Sequence, residues 1–169
     1  IHANLCEISD YIYENPELGN EEFKSSEKLI SFLQDHNFEI EKEFLGIKTA
    51  FRATYDSKKE GATIGYLCEY DALPEIGHGC GHNMIGSMSA GAGIILSKVL
   101  DEVGGKIIVY GTPAEETNGA KVIFAEEGVF DELDAAMMVH PGDKTLASGK
   151  SMALYPLQFT YKGKTAHAA

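Results

Sequence analysis

The sequence predicts an α/β fold, a mostly parallel sheet flanked by helices. Three observations carry that expectation. The runs "ATIGYLC", "KIIVYG" and "DAAMMVH" are short, continuous and apolar, the pattern of strands covered on both faces. Helix-like segments, "NMIGSMSAGAGIILSKVL" and "GAKVIFAEEGVF", lie between them. Each run also ends in side chains that bind metals or move protons, as expected where parallel strands bring their carboxyl ends to one edge.

The elements follow in chain order. Leu5, Ile8 and Ile12 repeat at helical spacing, and Pro16 closes that helix. A second helix is expected from Asn20, as its N-cap, to about Asp35, with Phe23, Ile30 and Leu33 on its apolar side. "NFEIEKEF" turns Phe38, Ile40 and Phe44 inward as a strand, "KTAFRATY" is a second strand, and "DSKKEG" is a solvated turn. In the long central helix, Ile85, Met88, Ala92, Ile95 and Val99 are expected to line one face, and its many small residues permit close packing on a sheet. After Gly149 the pattern changes, and "SMALYPLQFTYKG" reads as a strand opening a different layer.

The 169 residues suffice for one domain with a hydrophobic core, and 44% hydrophobic with 24% charged residues is ordinary globular composition. A net charge of -12 argues against nucleic acid or anionic membrane as a partner. Apolar runs are broken within about ten residues, so no membrane span is expected. The acidic start, "IHANLCEISDYIYENPELG", does not read as a signal peptide. Cys6, Cys68 and Cys80 do not form a disulfide framework, so a reducing, cytoplasmic setting is expected. The chain begins at Ile1 and stops within "GKTAHAA", the expectation being a fragment. There is no internal repeat, and "GHGCGH" is not a dinucleotide-binding G-x-G-x-x-G.

Chemistry collects at the strand ends. The first run leads to Glu69, Asp71 and the loop of His78, Cys80 and His82; the second to Glu115 and Glu116; the third to His140. Thiol, imidazole and carboxylate together form a donor set for zinc or a similar divalent ion. Gly79 and Gly81 are expected to let Cys80 and His82 face one centre. On extended backbone the two adjacent glutamates point in opposite directions, so one can bind metal while its neighbour acts as general base. Cys6 and Cys68 read as packing residues or helix filler, His2 and His36 as solvated, and the glutamate pairs at 21–22 and 126–127 as surface charge. Two other function classes use the same residues: a thiol hydrolase with Cys80 as nucleophile, and a non-catalytic metal-binding scaffold.

The ordered segments "NPELGNEE", "EYDALPEIGHGCGHN", "GTPAEETNGAK", "MMVHPG" and "GKTAHAA" resemble the aminoacylase/carboxypeptidase superfamily of two-metal metallopeptidases, closest to its amidohydrolase branch. The resemblance spans essentially the whole chain. It implies a catalytic domain over residues 1–150 and, from 151 to 169, the start of a smaller α+β lid or dimerisation domain. It implies hydrolysis of an amide bond in N-acyl amino acids or short peptides by a metal-bridging hydroxide. Cys80 would bridge two divalent ions, zinc or alternatively manganese. His82 and His140 would bind one ion and Glu116 the other. Glu115 would be the general base and Asp71 an orienting acid beside the ligands. His167 would reach a neighbouring subunit's site in a homodimer or larger homo-oligomer and steady the oxyanion. Relatives often place a metal-binding histidine where this chain has Glu69, which is therefore set aside as a ligand; Asn83 stands where some have Asp.

Overall fold

The computed structural model describes residues 1–147, 153, 157, 159–164 and 166–167. Among the described residues four α-helices, α1 (His2–Glu14), α2 (Phe23–Gln34), α3 (His82–Val103) and α4 (Ala120–Glu126), accompany five strands, β1 (Glu39–Lys42), β2 (Phe51–Asp56), β3 (Thr63–Cys68), β4 (Lys106–Gly111) and β5 (Ala135–Met137). The sheet order is β1-β2-β4-β3-β5. The three apolar runs are indeed its parallel part, with β3 between β4 and β5. β1 and β2 add an antiparallel margin, so the sheet is mixed. β5 departs from expectation in another way: all three of its residues are exposed. It lies at the sheet edge, and its apolar character is not covered by the described residues.

Two apolar layers enclose the sheet. Ile107 and Val109 of β4 pack with Ile8, Ile12, Leu29, Leu33 and Ile94 of the first three helices. Ile108 and Tyr110, alternating to the other side, pack with Phe44 and with Phe124 of α4. β4 is thus covered on both faces.

The second helix starts later than its sequence indicates. Asn20 has a left-handed φ of 68°, Glu22 takes the N-cap place, and Phe23 is exposed. The free amides at the start of α2 are met by Glu17, whose carboxylate accepts from the Lys24 and Ser25 N–H groups at 3.0 and 2.9 Å.

α3 also turns a different face inward. Met88, Ile95 and Val99 are exposed, while Ile85, Gly86, Ala90, Gly93, Ile94, Ser97 and Leu100 are buried. Both stripes recur at helical spacing; the small one wins because it lets the helix axis approach the sheet. At Gly86 a Cβ would stand 2.9 Å from the Glu69 carbonyl oxygen, so even alanine would push the helix off the strand end. With 22 residues, α3 is long and apolar enough to cross a membrane by length and composition, contrary to the expectation from broken runs. Here it is the crossover helix between β3 and β4, packed on both.

The strand expected over 151–163 falls largely outside the described residues, and those described there have no regular secondary structure.

Candidate metal centre

β3, β4 and β5 run parallel, so their carboxyl ends open on one edge. Thr112, just past β4, ties two of these ends together by donating its N–H and its hydroxyl to the Cys68 carbonyl at 2.8 and 2.9 Å. Beyond β3 the chain enters Glu69, Tyr70 and Asp71, all buried. The loop then climbs to Gly81, whose φ of 78° serves as the left-handed N-cap of α3 and places His82 on the first turn. A Cβ at Gly81 would meet Pro141 at 2.9 Å, so this glycine also admits the loop that carries His140. Gly79 adopts no positive φ and differs in that respect from its neighbour.

His82 is the pivot. Its Nδ1 lies 2.9 Å from Asp71 Oδ1, while Asp71 Oδ2 accepts the Glu116 N–H at 2.9 Å. Asp71 therefore holds the imidazole with one oxygen and the Glu116 backbone with the other. With its Nδ1 proton directed to Asp71, Nε2 points into the site. Around Nε2 lie Glu69 Oε2 at 3.3 Å, Glu116 Oε1 at 3.8 Å and Glu115 Oε2 at 3.9 Å. The His140 ring stands edge-on to that of His82, with centroids 6.0 Å apart.

Ligand atoms of Cys80, His82 and Glu116 all lie within 4.8 Å of one another, and so do those of Glu69, His82 and His140. The four residues expected to bind metal are thus gathered. Glu69, set aside from the sequence, joins them. The buried atoms His82 Nε2 and Glu69 Oε2 have no hydrogen-bond partner among the described residues, which is what a cation-binding cavity lined by thiol, imidazole and carboxylate requires. His167 belongs to neither group; it is exposed and outside any helix or strand.

The glutamate pair departs from the extended geometry expected of it. Glu115 and Glu116 open a turn after Ala114, whose φ is 59°, and both carboxylates approach the same imidazole nitrogen. The anchor for this turn is Glu22, read from sequence as surface charge but fully buried. Glu22 accepts the Ala114 N–H at 2.7 Å and the Thr49 hydroxyl at 2.8 Å. Tyr70 donates to the Thr49 carbonyl at 2.6 Å and completes the support. The other glutamates of the two surface pairs, Glu21, Glu126 and Glu127, are exposed as expected. His36 is half-buried against Phe32 instead of solvated. Cys6 is exposed on α1, as a helix filler, and Cys68 is buried as a packing residue. Asn83 bonds Ser9 at 3.0 Å and fastens α3 to α1.

Charge is strongly coupled here. Burial raises the Asp71 carboxyl, but bonds from His82 and the Glu116 N–H outweigh it and hold its pKa below the ordinary value. Burial pulls the His82 pKa down, yet the hydrogen bond and charge of Asp71, with Glu69 and Glu115, lift it above 6.5. Burial, then the Glu69 charge, raises the Glu115 pKa against the opposing effect of Lys121. The hydrogen bond to Glu116, with burial and the nearby carboxylates, pushes the Cys80 thiol up to about 11.

Comparison with known proteins shows the family and the fold. Residues 50–163 match the family model "Peptidase family M20/M25/M40". The Xaa-Arg dipeptidase of Mus musculus is 35% identical over 98% of this chain and 41% of its own length. A p-aminobenzoyl-glutamate hydrolase subunit of Escherichia coli is 35% identical over 96% of this chain and 38% of its own. The crystal structure of Bacillus subtilis YXEP, a dinuclear metal binding peptidase from the M20 family, superposes with a TM-score of 0.70 at 25% identity, covering 80% of this chain and 41% of that one. The chain spans about two fifths of the length of these curated relatives.

Proposed function

The chain belongs to peptidase family M20/M25/M40, and from that membership we propose that the whole protein hydrolyses an amide bond in an N-acyl amino acid or short peptide with two divalent ions. The observation carrying this is the convergence of Cys80, His82 and Glu116, with His140 beside them, at the carboxyl edge of the parallel strands. The names of the similar proteins, a dipeptidase and an aminobenzoyl-glutamate hydrolase, support amide chemistry.

Cys80, His82, His140 and Glu116 would hold the ions. Bound there, the ions would polarise the scissile carbonyl and acidify water. Thiolate and imidazole favour zinc, and manganese is the alternative. Glu115, near His82 but partly open to solvent, takes a proton on its carboxylate and returns it to the departing nitrogen. Asp71 keeps His82 in the tautomer that presents Nε2. Residues from 151 onward are assigned to a lid or dimerisation domain, from which His167 would reach a partner subunit's oxyanion. The free cysteines support a cytoplasmic location.

The test is chelation of the full protein, followed by zinc or manganese add-back against a panel of N-acyl amino acids and dipeptides. Activity lost on chelation and restored by metal is expected. A silent panel, or turnover indifferent to chelation, defeats the proposal.

A further inference from the structure

Two acceptor atoms face each other at the bottom of the site. Glu69 Oε2 and His82 Nε2 are 3.3 Å apart, on side chains only 2% and 1% exposed, and neither has a hydrogen-bond partner among the described residues. In the neutral ring the His82 proton is directed to Asp71 through Nδ1, 2.9 Å from Oδ1, and Nε2 then presents a lone pair. An ionised carboxylate oxygen is likewise an acceptor only. Such a pair, shut away from water, needs a positive centre between its members, supplied by a proton on Nε2 in the metal-free protein and by a cation when metal is bound. Two ligand atoms bound to one zinc at about 2.1 Å stand roughly 3.4 Å apart in a tetrahedral shell. The observed separation is close to that edge.

The other Glu69 oxygen is already engaged, because Lys121 at the start of α4 donates its ammonium to Oε1. That contact leaves Oε2 alone to face the cavity. His140, in the same group of ligand atoms, approaches from the β5 side.

We propose that Glu69 is a metal ligand: Oε2 binds the cation held by His82 and His140, while Lys121 fixes the opposite oxygen. This rests on the metal-centre reading given under Proposed function and adds a carboxylate to it. One imidazole nitrogen serves one cation, so Glu116 is left to the second, with Cys80 between the two. Lys121 also offsets part of the negative charge that a further carboxylate would bring to a site already containing Asp71, Glu115 and Glu116.

The experiment is metal titration of the full protein, stripped by chelator and followed with zinc by calorimetry and with cobalt by visible absorption. The native protein is expected to take two equivalents. Glu69→Gln is expected to weaken one site tenfold or more, alter the cobalt bands and leave the other site in place. Lys121→Met is expected to weaken the same site by a smaller factor. Circular dichroism controls for folding. Should Glu69→Gln fail to fold, Glu69→Asp keeps the charge while withdrawing the oxygen, and the same site is expected to weaken. Two unchanged affinities and an unchanged cobalt spectrum in the folded Glu69 variant would reduce Glu69 to an ion-pair partner of Lys121 and overturn the proposal. A native protein that takes up no metal would overturn the metal centre itself, a result separable from the first.

Discussion

The inner and outer halves of the site are built differently. Glu69, Asp71 and His82 are buried, stand on the end of β3 and the first turn of α3, and are held by Lys121 and by each other. Glu115, Glu116 and His140 are exposed and lie on loops. Yet the outer loop is pinned from beneath, since Glu22 takes the Ala114 N–H and Asp71 takes the Glu116 N–H. The fold thus fixes the outer backbone while leaving its carboxylates open to substrate. Buried acids set the geometry, and exposed acids are free for chemistry.

Substitutions on the two halves should separate these roles. The largest effect is expected at Glu115→Gln, with turnover falling by about 10²–10⁴ while elemental analysis finds metal content unchanged. A variant that turns over normally would remove the outer half's claim to proton transfer. Asp71→Asn should lower metal affinity by about 10–100-fold in a competition titration, because His82 loses the partner that orients it. Unchanged affinity there would mean that the inner half is not preset by Asp71.

Glu22→Ala should cost about 1–3 kcal/mol in urea unfolding, since the Ala114 N–H and Thr49 hydroxyl lose their buried acceptor. It should also depress turnover by misplacing Glu115. A variant as stable and active as the native protein would show that the turn holds itself.

The smallest effect concerns protons. In the metal-free protein, His82 should titrate above 6.5, and Asp71→Asn should bring it down, both readable by NMR. A folded-state pKa raised above the unfolded one makes protonated His82 stabilising below the unfolded value. That contribution is lost as pH rises through the folded value. Titration of His82 below 6.5 would show that the surrounding carboxylates do not dominate burial.

Much of this arrangement was legible in the residues. The three apolar runs gave away the parallel strands, and the reactive side chains after them gave away the shared edge. Cys80, His82, Glu116 and His140 could be read because their types are chemically unusual together. Glu22 could not, because an acid beside another acid looks like solvated charge, and only the fold brings Thr49 and Ala114 to it. The inward face of α3 was likewise hidden: its small and bulky stripes share one periodicity, and the sheet selects the small one through close approach. Glu69 was obscured by its neighbours, since a carboxylate at a strand end shows neither which oxygen Lys121 will occupy nor that the other faces His82. The turn at Ala114 was invisible for a related reason, as nothing in "PAEE" announces a left-handed alanine.

The stripe that α3 turns away from the sheet, Met84, Met88, Ile95, Val99 and Val103, makes one flank of the molecule adhesive. Left bare in water, such a flank draws in detergent tails or other greasy surfaces. Solution work on these residues alone would be governed as much by that stickiness as by the chemistry at the strand ends.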